Sequence, residues 1–225
     1  LYFNSPCNPS GAAYTHAEVK ALTDVLLRHP HVWVLTDDIY EHLVYGDFRF
    51  ATPAQVEPSL ADRTLTVNGI SKAYAMTGWR IGYAAGPKEL ISAMNKLQQH
   101  SASCPSSFAQ KGALEALKPE TPVAPMVAEF RRRRDYLCSE LAKMHAFKVA
   151  PPRGAFYLFP DISGTGMPSS RLVELLLEKA GVSTTPGEPF GGFAGNLRIS
   201  YANSMANLEA AVDRIRRALE PMGLA

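Results

Sequence analysis

An α/β fold is what this sequence predicts, a mostly parallel sheet layered with helices and followed by a smaller α+β domain. Three observations predict it. Short β-branched or aromatic runs end in turn formers at "HVWVLTDD" (31–38), "RTLTVNG" (63–69) and "WRIGYAAG" (79–86), as buried strands of an α/β sheet do. Segments with helical spacing fall between strands, so strand, helix, strand is the repeating unit. A proline-rich interruption, "KPETPVAP", then separates this series from a second one built on a smaller scale.

The opening "LYFN" reads as a short strand running into "SPCNPSG", and it equally resembles the end of an engineered tag-cleavage sequence. No initiating methionine precedes it, so the chain reads as part of a longer product. Thr15 with Glu18 three residues on forms a capping box, and Val19, Leu22, Val25 and Leu26 follow at helical spacing. After the three strands, Leu90, Ile91, Met94 and Leu97 predict a helix over 88–99, and another apolar helix covers 106–117. The prolines of "KPETPVAP" break that helix and set the boundary between a domain over 1–120 and a smaller one over 121–225. The smaller domain begins with a helix over 123–145 centred on "RRRR", followed by strands at "FKVA" and "AFYLF". A helix over 170–180, strands at "VSTT" and "NLRISYA" and a closing helix complete it; Leu208, Val212, Ile215 and Leu219 make one apolar stripe on that last helix.

Composition excludes several classes of function. The 23 Lys plus Arg against 21 Asp plus Glu give a net charge of +2, without the basic excess that binding a nucleic-acid backbone requires. No apolar run reaches the roughly 18 residues of a membrane span, and no charged-then-apolar leader opens the chain. Cys7, Cys104 and Cys138 are odd in number and far apart, which argues against a disulfide framework and predicts a reducing, cytoplasmic setting. The six histidines show no paired metal-ligand spacing, so no metal site is expected. Arg131 to Arg134 read as an ion-paired helix face, because four consecutive helical residues point in four directions.

The residues with chemical potential sit at strand ends. Lys72 follows "TVNGIS"; it reads either as a surface residue snorkelling its ammonium or as an amine in a protected pocket, where a lowered pKa permits Schiff-base chemistry. Arg80 lies between Trp79 and Ile81, as half of a buried ion pair or as a clamp for a phosphate or carboxylate. Asp37 and Asp38 stand just past a strand's carboxyl end, the rim where open α/β sheets bind ligands, with Tyr40 in reach; Asp37 also suits a turn cap. Asn8, in "NSPCNPSG", either faces a ligand or turns the chain. Arg198 alternates with Leu197 and Ile199 and so points away from their face, toward solvent or a cleft.

Taken together, "NSPCNPSGA", "TDDIYEHLVY", "LTVNGISKAYAMTGWRIGYAAGP", "RGAFY" and "LRISYA" occur in an order and spacing that resemble the carboxyl-terminal part of a fold-type I pyridoxal-phosphate aminotransferase. Within that superfamily the chain is most similar to the bacterial branch of aspartate and prephenate aminotransferases. The resemblance implies part of a three-layer, mostly parallel cofactor-binding domain over 1–120 and the small carboxyl-terminal domain over 121–225. It implies transfer of an amino group between an amino acid, aspartate above all, and a 2-oxo acid, by a cytoplasmic homodimer using pyridoxal 5'-phosphate. It makes Lys72 the lysine that joins the cofactor and shuttles the substrate's proton, and Asp37 the partner of the pyridine nitrogen. Tyr40 and Asn8 are implied to bond the ring's phenolic oxygen, Arg80 the cofactor phosphate, and Arg198, with Asn8 beside it, the substrate carboxylate.

The sequence departs from the family pattern in three places. Gly69 stands where many relatives have a phosphate-binding serine, with Ser71 adjacent to the lysine instead; Asp38 stands where glutamate is common; and the family's amino-terminal half, with its specificity determinants, has no counterpart here. Two alternatives therefore stand beside the transaminase expectation: an inactive truncated fragment, and a different reaction of the same cofactor, since its electron sink also serves elimination, decarboxylation and racemisation.

Overall fold

A computed structural model describes residues 1–225. The chain folds into two compact units, residues 1–6 with 12–127 and residues 7–11 with 128–225.

The first unit is built on a four-stranded sheet in the order β1 (Tyr2–Asn4), β2 (Val34–Asp37), β3 (Thr64–Gly69), β4 (Gly82–Ala85). The first three strands are parallel and β4 is antiparallel to β3, so the α/β expectation with a mostly parallel sheet holds. Helix α1 (His16–Leu27) carries β1 across to β2; its capping box is formed, with Thr15 and Glu18 exchanging side-chain and backbone bonds. Val19 and Leu26 of α1 are buried, in two clusters that also hold Phe3 with Ala51 and Val34 with Leu60. A short helix, α2 (Pro53–Val56), and a 3-10 turn at Pro58–Arg63 lead into β3.

Arg63 ties this region to the end of α1, donating to the carbonyls of Leu26, His29 and Val32. Those carbonyls belong to the last turn of α1 and the loop beyond it, where the Leu26 and His29 carbonyls also accept the amides of His29 and Val32.

β4 departs from the sequence expectation. The strand begins at Gly82 rather than Trp79, because residues 77–79 form a 3-10 turn and Arg80 adopts a left-handed conformation with φ of 56°. It is also exposed rather than buried, as are Trp79 and Tyr83. Beyond it, α3 (Lys88–Ser101) buries no residue, and α4 (Ser107–Ala116) buries only Ala109, Ala113 and Ala116, against Ile70 and Ile81.

α5 (Ala124–Leu141) runs from the first unit into the second, where Phe130, Leu137 and Leu141 are buried. Its arginines are ion-paired as expected: Arg132 and Arg133 bond Glu129, and Arg134 bonds Asp135. The second unit holds a three-stranded antiparallel sheet in the order β5 (Tyr157–Leu158), β7 (Leu197–Ser200), β6 (Thr185–Pro186). α6 (Ser169–Leu175) continues through a π-turn that stops at left-handed Gly181. α7 (Met205–Leu219) buries Leu208, Val212, Ile215 and Leu219, the stripe read from the sequence; each contributes roughly 1.5–3 kcal/mol. The expected strand "FKVA" is reduced to one bridge, Lys148 to Asp161, because Pro151 and Pro152 follow and cannot donate to a ladder.

Candidate active site

The register of the parallel strands brings three of the sequence candidates to one edge of the first sheet. Asp37 is the last residue of β2 and pairs with Asn4 on one side and Val67 on the other. Lys72 lies three residues beyond Gly69, the last residue of β3, so the carboxylate and the amine leave adjacent strands at their carboxyl ends. Arg80 precedes β4, which runs the opposite way and pairs Gly82 with Gly69, so it joins the same edge. This is the edge at which open α/β sheets bind ligands.

Asp37 is held in place locally. Its Oδ1 accepts from the Ile39 amide at 3.2 Å, its Oδ2 from the Tyr2 hydroxyl at 3.1 Å, and its carbonyl from Asn4 Nδ2 at 3.0 Å. The neighbouring Asp38, just past the strand, is buried and accepts from the Thr36 hydroxyl at 2.6 Å; burial pushes its carboxyl above the usual range. Tyr40 is buried in the turn that follows, whose Leu43 amide bonds the Tyr40 carbonyl.

Lys72 is half-buried in a tight turn closed by the Ala75 amide on the Lys72 carbonyl at 3.3 Å, with Ala75 left-handed at φ 52°. A left-handed non-glycine residue costs on the order of 1 kcal/mol and persists where the surroundings hold it. Arg80 differs from expectation. Ile81 beside it is buried but Trp79 and Arg80 are exposed; its Nη1 donates to the Thr77 carbonyl at 3.0 Å. Arg80 lines an open cavity of about 520 Å³ with Val67, Tyr83 and Met94, and Asp37, Tyr40 and Lys72 are not among its walls.

Asn8 and Arg198 both belong to the second unit and meet there. Arg198 Nη1 donates to Asn8 Oδ1 at 2.9 Å and Nη2 to the Thr185 hydroxyl at 3.2 Å. Its guanidinium carbon lies 4.8 Å from the Tyr157 ring centroid and 4.9 Å from that of Phe190, and its Nε is buried without a hydrogen-bond partner. An orphaned buried N–H beside further guanidinium donors suits a planar carboxylate, which answers it with two parallel bonds.

Asn8 is set by a turn in which the Gly11 amide bonds the Cys7 carbonyl at 2.7 Å; the peptide from Asn8 to Pro9 is cis. The Gly11 carbonyl in turn accepts the Arg153 and Gly154 amides, both at 3.0 Å.

Sequence reasoning missed Thr185, Phe190 and Tyr2 as neighbours of Arg198 and Asp37. Thr185 is the cross-strand partner of Arg198, and a pairing of that kind carries no local signal; Tyr157 closes "RGAFY", where nothing local marks its contact with Arg198.

Residues 1–215 match the family model described as aminotransferase class I and II. A probable aspartate/prephenate aminotransferase of Rhizobium leguminosarum bv. phaseoli is 52% identical over 96% of this chain and 56% of its own length. The crystal structure of the aspartate aminotransferase from Rhizobium meliloti is 47% identical with a TM-score of 0.91, over 100% of this chain and 58% of that one. An aromatic aminotransferase from Pyrococcus horikoshii OT3 gives a TM-score of 0.94 at 40% identity, over 100% and 60%. The chain spans about half the length of the relatives it matches. It belongs to the aminotransferase class I and II family.

Proposed function

We propose that this chain is the lysine-bearing part of an aminotransferase that moves an amino group between aspartate and a 2-oxo acid with pyridoxal 5'-phosphate as cofactor. The observation that carries this reading is the departure of Asp37 and Lys72 from the carboxyl ends of adjacent parallel strands. The chemistry of the donor set suits the cofactor group by group, an amine for its aldehyde, a carboxylate for its ring nitrogen and a guanidinium for its phosphate, although Arg80 lines a cavity whose walls do not include the other two. When bound, pyridoxal phosphate supplies an electron sink for charge developing at the substrate's α-carbon.

The chain's own residues supply the rest. Lys72 would hold the cofactor through Nζ and, once the substrate's amine has displaced it and left it free, would move the proton at the substrate's α-carbon, one amine acting in turn as anchor and as base. Asp37, oriented by Tyr2 and the Ile39 amide, holds the proton on the ring nitrogen. Tyr40 donates to the phenolic oxygen and Arg80 pairs with the phosphate. Arg198, with Asn8 bonded to it, binds the substrate's carboxylate.

The reading extends to domains, partner and setting. We assign the first unit to the remainder of the large cofactor-binding domain and the second to the small domain. A second copy of the protein is the inferred partner, supported by Leu97 (74% exposed) on α3 and Phe108 (74%) and Leu114 (60%) on α4. Three free cysteines support a reducing, cytoplasmic setting.

Borohydride treatment in the presence of pyridoxal phosphate, followed by peptide mass analysis, tests the reading. The expected adduct is on Lys72. An unmodified Lys72, or a longer protein carrying this segment that fails to transaminate aspartate, overturns it.

A further inference from the structure

The turn that follows β2 is fastened to the end of β3 and to the turn beyond it, on either side of Lys72. At the start of the loop, Asn68 Nδ2 donates to Glu41 Oε1 at 2.7 Å while Asn68 Oδ1 accepts the Gly69 amide at 2.7 Å, so one carboxamide joins Glu41 to the backbone from which Lys72 departs. At its far end, the Tyr74 ring meets the His42 ring edge-on at a centroid distance of 6.0 Å. His42 Nε2 lies 3.4 Å from the same Glu41 oxygen, closing the group. Glu41 is only 28% exposed, Asn68 is buried, and burial followed by the Glu41 charge pushes the Tyr74 and Tyr83 hydroxyls up, with Tyr74 and Asp38 adding to the shift at Tyr83.

These contacts have a consequence for placement. Glu41 and His42 belong to the segment that carries Asp37 and Tyr40; Asn68 and Tyr74 bracket Lys72. A charge-assisted bond in a half-buried site is stronger than a neutral one and resists sliding of the two turns. The loop it restrains contains left-handed Ala75, a conformation that neighbouring structure has to hold in place.

We propose that Glu41, acting through Asn68 and seconded by His42 on Tyr74, is a positioning residue that sets Lys72 relative to Asp37. This rests on Lys72 being the cofactor lysine, and the experiment separates the two ideas. Amide hydrogen exchange is measured on the cofactor-free chain for the unaltered protein, Glu41→Ala and Glu41→Gln. The same three proteins, mixed with pyridoxal phosphate, are titrated with pH by following the cofactor's absorbance.

Glu41→Ala is expected to speed exchange across 68–75 by roughly ten- to a hundredfold, the scale of one lost charge-assisted hydrogen bond. It is also expected to move the midpoint of the absorbance titration. Glu41→Gln still presents a carbonyl oxygen to Asn68 Nδ2, and is expected to recover about half of the lost protection and to return the midpoint toward the parent's. Unchanged exchange in Glu41→Ala overturns the proposal; so does a midpoint shift that Glu41→Gln fails to reverse, since that marks lost charge and not lost placement. If borohydride leaves Lys72 of the unaltered protein unmodified, the cofactor reading falls, and the exchange rates still decide whether Glu41 holds the loop.

Discussion

The guanidinium of Arg198 lies 4.8 Å over the ring of Tyr157, and Phe190 meets the same group at 4.9 Å. Each cation–π contact is worth about 0.5–2 kcal/mol depending on desolvation, and both restrain the guanidinium that Asn8 and Thr185 also hold. Replacing Phe190 by Leu is therefore expected to weaken dicarboxylate binding by about 3- to 10-fold. Arg198→Lys keeps the charge but loses the planar fork, and a loss of roughly 100-fold is expected. Calorimetric titration with a dicarboxylate checks both, and an Arg198→Lys protein that binds as tightly as the unaltered one contradicts the carboxylate role.

What was legible in the sequence was local. The capping box at Thr15 and Glu18 and the apolar stripe of α7 depend on spacings of three and four residues, which any window reveals. β4 starts later than the apolar run suggests, because nothing in "TGWRIG" announces that Arg80 turns left-handed. The candidate residues were found as motifs, yet what holds them was not: Glu41 and Asn68 are 27 positions apart, and Arg198 and Asn8 are 190. Such pairs exist only once strand register is known.

Gly11 is where the turn carrying Asn8 closes, and its φ of +65° lies in the left-handed region. A Cβ there meets the Pro152 Cβ at 2.4 Å and the Gly154 carbonyl oxygen at 2.7 Å, neither of which is the tip of a flexible side chain. Gly11→Ala combines backbone strain with overpacking, for an expected loss of about 3 kcal/mol. A shift of the turn that relieves these contacts also displaces Asn8, which the turn carries, relative to Arg198. Urea unfolding reads the first effect and dicarboxylate affinity the second; a variant within about 0.5 kcal/mol of the parent, the range of ordinary surface changes, refutes the argument.

Asp38 supplies the pH dependence. Its side chain is buried and accepts from the Thr36 hydroxyl at 2.6 Å, and burial, outweighing that bond, raises its carboxyl above the ordinary 3.8. A carboxyl whose folded pKa is raised favours folding while protonated; that contribution is complete below pH 3.8, where the unfolded chain is protonated too, and is lost as pH climbs through the folded value. At neutral pH the buried charge therefore works against the fold. Asp38→Asn keeps an oxygen for Thr36 and removes the charge, so its melting temperature is expected to exceed the parent's at pH 7, with the gap closing toward pH 4. Thermal melts of both proteins across that range check it, and a gap that stays constant or widens on acidification assigns the pH dependence to other groups.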